Sequence, residues 1–299
     1  MFAQRLLFLP LILLGVASTQ PAASTDAMPF SDGVLWRVER AGSTSYVFGT
    51  LHSTDEQVTT LPRPVSEAFE ASPTLAVECV LDNPAILKVS RAMLLPSGER
   101  LDASMSADQV ALLRDASEHY HMSFDMVTHF KPWGAMMLFS VPPSEHLLAA
   151  GGAKPLDESL RAQAETAGKT VVGLETVEEQ IDTLDGMSPA DQMLILDSTL
   201  REAGQIERVF ATLRDAYLAR DLVAVYALLN SEMASNNTGA ADRFAQRLIV
   251  DRNHRMVERM DKLLQQGNAF VAVGALHLPG TSGILQLLTD RGYKITRVY

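Results

Sequence analysis

The sequence predicts an α/β protein, and three observations support this prediction. The opening third follows the order strand, loop, helix, strand, which is typical of a parallel βαβ unit. The middle of the chain carries helix-start signals instead. Near the C-terminus, residues 269–273 form an unbroken apolar run that indicates a fully buried strand, and a glycine turn follows it. A similar strand and glycine turn occur near the N-terminus, so the two strands can converge if they share one sheet.

The elements follow in order from composition and spacing. Residues 34–38 and 45–48 are predicted strands, joined by a glycine-containing polar connection that favours a hairpin. Residues 65–71 are amphipathic, and residues 74–77 form the next apolar run. Ser106 opens a capping box at a helix start. The remaining predicted elements are helices at 156–167, 242–266 and 283–291 and strands at 170–173, 269–273 and 293–298.

The long helix predicted at 242–266, which Gly267 terminates, has a charge within its apolar face. At helical spacing, Arg252 and Asn253 both fall inside that face. Because a buried arginine is costly unless it is paired, this pattern predicts a carboxylate or a ligand beside Arg252.

Composition narrows the class of protein. The chain has 299 residues, of which 47% are hydrophobic, so it can bury a sizeable core. Its formal net charge of −11 argues against partners such as nucleic acid or an anionic membrane surface. Cys79 is the only cysteine, which excludes an internal disulfide and a cysteine-rich metal site.

The N-terminus predicts export. Residues 1–23 are interpreted as a signal peptide and linker, because Arg5 precedes a short apolar stretch and small residues follow it. Pro10 interrupts this stretch, which disfavours the alternative of a retained membrane anchor. We therefore expect a periplasmic or secreted protein with no stable membrane anchor after signal cleavage.

Two Gly-x-x-His motifs each follow a predicted buried strand. Gly49 precedes His52 after the second strand, and Gly274 precedes His277 near the C-terminus. A glycine lets the backbone approach a ligand closely, and imidazole nitrogens serve as metal ligands or as acid–base groups. The alternative interpretation is that each histidine caps its strand and has a structural role only.

Glu78 adds a carboxylate at the end of a third strand. Two histidines with one carboxylate are typical of a catalytic divalent metal that keeps open positions for water. Without a metal, the same groups can act as a general acid–base pair. The structural alternative is a salt bridge between Glu78 and Arg252.

Other residues are predicted to have supporting or structural roles. Asp157 and Glu175 flank predicted elements and could line the site, although helix capping also explains Asp157. The segment 131–133 is interpreted as a packing and turn element. No Gly-rich phosphate loop, Gly-x-Ser-x-Gly elbow or His-Glu-x-x-His helix is present, which excludes the commonest NTPases, serine hydrolases and zincins. Four histidines are expected at solvated surface positions: His119, His121, His129 and His146.

Taken together, these stretches resemble the TraB/PrgY/GumN family, whose relatives include the Tiki proteases. The matching motifs run in the family's order across nearly the whole predicted mature chain. They are Gly49-Thr50-Leu51-His52, Leu61-Pro62, Val77-Glu78, Lys131-Pro132-Trp133, Gly173-Leu174-Glu175 with Gln180, Arg252-Asn253 with Arg255-Met256, and Gly274-Ala275-Leu276-His277 with Gly280.

The resemblance implies a fold and an architecture. It implies a mixed central sheet built from N- and C-terminal βαβ units with a large helical middle, similar to erythromycin-esterase and ChaN-like proteins. We expect a single domain at 24–299 with a helical insertion at about 83–240.

The resemblance also implies a divalent-metal-dependent hydrolase of the peptidase class. His52 and His277 match the two histidine motifs, Glu78 the acidic position and Arg252 the arginine. In this scheme Mn, Co or Zn is held by His52, Glu78 and His277, Arg252 stabilises negative charge, and the supporting residues are Gly49, Gly274, Asn253, Glu175 and Asp157. Val80 departs from relatives that have a second acidic residue there.

Three hypotheses for function follow. The first is an exported metal-dependent hydrolase acting on a peptide or a small molecule. The second is a non-catalytic protein that binds and sequesters a peptide. The third is a metal-free hydrolase that uses a His/Glu pair on an ester or similar bond.

Overall fold

The structure is a computed structural model, which describes residues 28–233 and 239–299. The predicted signal peptide and linker at 1–23 lie outside the described residues. In the two ranges that the structure describes, none of the helices has the length and apolar character that crossing a bilayer requires.

A six-stranded mixed sheet forms the centre of the molecule, which confirms the predicted fold class. Its spatial order is β4-β3-β5-β2-β1-β6. Four neighbouring strands, β4, β3, β5 and β2, pair in parallel, whereas β1 and β6 join the β2 side in antiparallel pairings. The strands are β1 (Leu35–Arg40), β2 (Ser43–Thr50), β3 (Thr74–Cys79), β4 (Thr170–Glu175), β5 (Ala269–Gly274) and β6 (Lys294–Arg297).

The two ends of the chain interleave in this sheet. β1 and β2 form the predicted hairpin, and β2 and β3 run in the same direction, as a βαβ unit requires. They are not neighbours, however, because β5 from the C-terminal end lies between them. All six residues of β5 are buried, since strands covered on both faces are apolar throughout.

The helices that cover the sheet come from several parts of the chain. Val65, Leu160, Met256 and Leu285 belong to the same apolar core as the strands. These four residues lie on four helices from different parts of the sequence, with one residue on each helix. These helices are α2 (Arg63–Ala71), α8 (Leu156–Thr166), α14 (Arg252–Gln266) and α15 (Ile284–Asp290), and the short α1 (Glu56–Thr59) precedes α2.

A second apolar core forms within the helical middle. Trp133 is fully buried there, and its indole N–H and the Lys131 ammonium both donate to Asp185. This agrees with the predicted packing and turn role of 131–133. The predicted insertion at about 83–240 is largely helical within the described residues, but it contributes β4 to the sheet. Its helices are α3 (Asn83–Ala92), α4 (Ala107–His119), α5 (Phe124–Val127), α6 (Pro132–Phe139), α7 (Pro143–Ala150), α9 (Val177–Asp185), α10 (Pro189–Glu202), α11 (Ile206–Leu218) and α12 (Leu222–Met233).

The long helix predicted at 242–266 is interrupted directly before Arg252. α13 (Ala240–Ala245) continues into a π-helical segment, Gln246–Asp251, and α14 starts at Arg252. π-helical turns inside α-helices frequently mark functional sites. As predicted, Gly267 ends α14.

The ends of β2 and β5 are in close contact at Gly49. A Cβ atom on Gly49 would lie 2.7 Å from Leu278 Cδ1 and 2.9 Å from Ala275 Cα. The first Gly-x-x-His motif therefore packs directly against the backbone of the second. A side chain at Gly49 would force the two motifs apart.

We expect Gly49→Ala to lower the free energy of unfolding by about 1–3 kcal/mol, because it overpacks a contact with backbone atoms. Urea denaturation measures this loss. The control is Gly204→Ala, where a Cβ would have no atom within 4 Å and a change of about 0.5 kcal/mol or less is expected. Equal stability of the two variants would contradict the close contact.

Candidate active site

The four parallel strands end at one edge of the sheet, and polar residues follow each of them. His52 comes after β2, Glu78 lies near the end of β3, Glu175 ends β4, and His277 follows β5. Ligand sites in open α/β sheets lie at such carboxyl edges. The structure therefore gathers at one edge residues that are up to 225 positions apart in sequence, and they form two groups of polar contacts.

Arg252 is the centre of the first group. It is 1% exposed, and its Nη2 lies 2.6 Å from Glu78 Oε2 and 2.7 Å from Glu175 Oε2. Its Nε also donates to Glu175 Oε2 at 2.8 Å. The predicted carboxylate partner of the buried arginine is therefore present, and there are two of them. Arg255 adds a second cation, 2.9 Å from Glu175 Oε1.

Glu78 is held in its ionised form. Besides Arg252, it accepts a hydrogen bond from the backbone N–H of Gly274 at 2.7 Å. Burial alone raises the pKa of the Glu78 carboxyl, but the charge of Arg252, the neighbouring His277 and the Gly274 N–H lower it to about 2. The carboxylate is therefore charged at any physiological pH.

His277 is fully buried beside Glu78, with 3.6 Å between Nε2 and Glu78 Oε1. Asn253 Nδ2 donates to the carbonyl of Ser282, so its Oδ1 is an acceptor 2.6 Å from His277 Nδ1. This assigns the ring proton to Nδ1 and leaves Nε2 as an acceptor, 3.4 Å from Arg252 Nη1. Burial lowers the pKa of His277 to about 4, with Arg252 acting in the same direction and Glu78 against it. The imidazole is neutral at neutral pH.

His52 belongs to the second group, with Asp157. Its Nδ1 lies 3.4 Å from Asp157 Oδ2, and Thr50 Oγ1 donates to Asp157 Oδ1 at 2.5 Å. Within the described residues, Asp157 Oδ2 is a buried atom without a hydrogen-bond partner. The capping explanation for Asp157 is wrong, because the N-cap of α8 is Pro155 and forms no side-chain cap bond.

Both groups contribute to one pocket. From the second group, His52 and Asp157 line this pocket. From the first group, Glu78 lines it together with Gly274, whose N–H binds Glu78. The apolar part of its wall includes Leu81, Leu213, Tyr217, Val225 and Leu276. A molecule in this pocket would meet the two groups at once.

Two residues of the pocket, Tyr217 and Thr50, were not predicted from the sequence as site residues. Tyr217 donates from its hydroxyl to the carbonyl of Gly49 at 2.9 Å, and burial raises its pKa, so it remains a donor. Nothing in the local sequence around Tyr217 or Thr50 signals these contacts. The spacing of Thr176 and Glu179 is that of a capping box, which indicates a helix start directly after β4. This signal could have located the end of the strand that carries Glu175.

Most of the other histidines lie where they were predicted. His119, His121 and His129 are exposed. The prediction for His146 is wrong: it is half-buried, its Nε2 contacts the carbonyl of Leu138, and its ring packs against Tyr120.

A divalent metal fits part of this donor set. His52 offers an imidazole, and Asp157 offers a carboxylate oxygen without a hydrogen-bond partner. His277 Nε2 faces a guanidinium instead, and both oxygens of Glu78 accept hydrogen bonds. Over residues 28–233 and 239–299, no group of three or more His, Cys, Asp or Glu side chains is arranged to hold a metal ion. The predicted ligand set of His52, Glu78 and His277 stays a prediction.

Several curated proteins are similar to this chain. The metalloprotease TIKI2 of Danio rerio is 26% identical over 92% of this chain and 62% of its own length. The metalloprotease TIKI1 of Homo sapiens is 26% identical over 87% of this chain and 61% of its own length. The chain thus spans less than two thirds of these two relatives. The uncharacterized protein YbaP of Escherichia coli (strain K12) is 24% identical over 81% of this chain and 87% of its own length.

No solved structure matches the chain significantly. A family model described as the TraB/PrgY/gumN family matches residues 34–297, which includes every strand of the sheet and both histidine motifs. This protein belongs to the TraB/PrgY/gumN family.

Proposed function

We propose that this protein is an exported, divalent-metal-dependent hydrolase of the peptidase class. The observation that carries the proposal is that His52, Asp157 and Glu78 line the same pocket at the carboxyl edge of the sheet. The names of the Tiki relatives, which are metalloproteases, support the same class of activity. The apolar wall of the pocket favours an apolar side chain of a peptide beside the bond that is cleaved.

His52 and Asp157 are the residues that would begin the coordination of a metal, and Glu78, which lines the same pocket, is the next predicted ligand. A bound Mn, Co or Zn ion supplies a Lewis acid that polarises a carbonyl and lowers the pKa of a water molecule. Asp157 orients the imidazole of His52 from one side, and Thr50 holds the other oxygen of Asp157.

Arg252 has a different role in this proposal from the predicted stabilisation of negative charge. Because two carboxylates surround its buried guanidinium, it acts through Glu78, which it keeps ionised and fixed at the pocket wall. His277 supports Glu78 from the buried side as a neutral imidazole.

A metal-free hydrolase is the second candidate, and one contact favours it. A histidine oriented by a carboxylate is a general acid–base arrangement in its own right, and His52 with Asp157 has this form. In this variant His52 moves the proton, and an ester is the favoured substrate.

Peptide cleavage is the direct test of the proposal. We expect purified protein lacking residues 1–23 to cleave members of a peptide library when Mn²⁺, Co²⁺ or Zn²⁺ is added, and EDTA to abolish this cleavage. His52→Ala should lower the rate by about 100-fold or more, because it removes a pocket imidazole. Mass spectrometry of the products measures the rate.

The matched control is His254→Ala, since His254 is an exposed histidine on α14. Its rate should equal that of the wild type. Cleavage that survives EDTA and still depends on His52 favours the metal-free hydrolase. Stoichiometric capture of peptide without turnover, unchanged in His52→Ala, contradicts both enzymes and favours the sequestering protein.

The neutral state of His277 predicts how stability depends on pH. Because its pKa is about 4 in the folded protein and about 6.5 when unfolded, the unfolded state binds more protons between these values. Stability is therefore lost as pH falls from about 6.5 towards 4. Between pH 7 and pH 5, His277 accounts for a loss of roughly 2 kcal/mol in the free energy of unfolding.

Urea denaturation in EDTA, at pH 7 and at pH 5, measures this dependence. Between pH 7 and pH 5, we expect the free energy of unfolding of His277→Gln to fall by roughly 2 kcal/mol less than that of the wild type. The free energy of unfolding of His254→Gln should change as it does in the wild type. If His277→Gln does not fold, NMR titration of the wild-type imidazole gives the same answer. A folded-state pKa near the ordinary value would overturn the prediction.

A further inference from the structure

A buried carboxylate of the helical middle contacts the loop that carries His52. Glu145 lies on α7 and is 8% exposed. Its Oε1 accepts a hydrogen bond from Ser53 Oγ at 2.7 Å. Its Oε2 accepts two, from the backbone N–H of Thr54 at 2.8 Å and from Thr54 Oγ1 at 2.6 Å. Both oxygens are thus committed to the two residues that directly follow His52.

The same loop is held from its other side by the start of α8. The carbonyl of Ser53 accepts a hydrogen bond from the backbone N–H of Leu156 at 3.1 Å. Leu156 immediately precedes Asp157, whose carboxylate lies beside the His52 imidazole. Ser53, which is fully buried, is therefore bonded to α8 through its carbonyl and to α7 through its hydroxyl. These two attachments define the backbone position from which His52 projects.

The chemistry of Glu145 suits an anchor. Within the described ranges no lysine or arginine forms an ion pair with Glu145, and its three hydrogen bonds come from neutral donors. Hydrogen bonds to an ionised acceptor are shorter and stronger than neutral ones, and a buried carboxylate that loses them is costly. Breaking this contact therefore removes the attachment of the loop to α7 and leaves its attachment to α8 through the Ser53 carbonyl.

We propose that Glu145 is a positioning residue, which fixes the backbone of Ser53 and Thr54 and thereby places the imidazole of His52 against Asp157. A reacting group must be held within about 0.5 Å of its productive position, and a displacement of about 1 Å can lower a rate 100-fold. The effect on turnover rests on the proposed function, but the effect on the loop does not. Through α7, the helical middle takes part in a site whose strands come mainly from the two chain ends.

Two variants of Glu145 separate its hydrogen bonds from its charge. Glu145→Ala removes all three acceptor contacts. Glu145→Gln keeps an oxygen for both donors of Thr54, and its amide can donate to Ser53 Oγ once that hydroxyl turns around. The control is Glu118→Ala, since Glu118 is an exposed glutamate on α4, a helix of the same region.

Amide hydrogen exchange and the NMR signals of the His52 ring test the positioning directly. In Glu145→Ala we expect exchange at the Thr54 amide to accelerate by about 10–100-fold, while amides of β5 stay protected. The His52 ring signals should shift in the same variant. Glu145→Gln and Glu118→Ala should both resemble the wild type.

Kinetics with a cleaved peptide adds a second readout. We expect Glu145→Ala to lower kcat by about 10–100-fold with KM nearly unchanged, because a displaced imidazole slows the reaction more than it weakens binding. Glu145→Gln should restore most of the rate.

Two results would overturn the proposal. One is a Thr54 amide and a His52 ring that do not respond to Glu145→Ala. The other is a rise in exchange that extends through β5, which would make Glu145 a general stabilising residue. If the wild type cleaves nothing, the proposed function fails, and the exchange and ring measurements still decide the role of Glu145.

Discussion

The buried guanidinium of Arg252 is the constraint on which the rest of the site depends. A charge that is 1% exposed is tolerated only when its partners are close and its donors are satisfied, and here Glu78 and Glu175 supply both conditions. These carboxylates stand at the ends of β3 and β4, whereas Arg252 starts α14. The interaction therefore joins the helix to two strands at the edge where the pocket opens.

This ion-pair system continues outward along α14. Arg255 lies 2.9 Å from Glu175, and Arg259 pairs with Glu179 at 2.6 Å. The side chains become more exposed along this path, from the buried Arg252 to Arg259 near the surface. Alternating charges balance one another, so the pocket retains a carboxylate, Glu78, that is ionised without leaving an uncompensated charge in the core.

The two histidine motifs are not equivalent. His277 is enclosed, neutral and bonded to Asn253, whereas His52 is 17% exposed on its side chain and faces Asp157 in the pocket. Gly49 brings the two motifs into direct backbone contact, so their different environments arise only a short distance apart. One imidazole thus supports the carboxylate of the site, and the other lines the pocket.

The sequence by itself predicted the strands, part of the helices, and the candidate residues Glu78, Glu175 and Arg252 that the structure brings together. All six strands were predicted from the sequence, and β5 most directly, because a strand that is buried on both faces must be apolar whatever its neighbours are. The inward position of Arg252 predicted a carboxylate or a ligand beside it, because helical spacing decides which face a residue occupies and a buried arginine needs a partner. The tertiary structure decided the pairings. That β5 separates β2 from β3, that Asp157 binds Thr50 rather than capping its helix, and that Glu145 and Tyr217 reach the motif of His52 all depend on contacts between distant segments. Such contacts leave no periodic trace in the chain, because they are set by how helices and strands pack and not by the order of neighbouring residues.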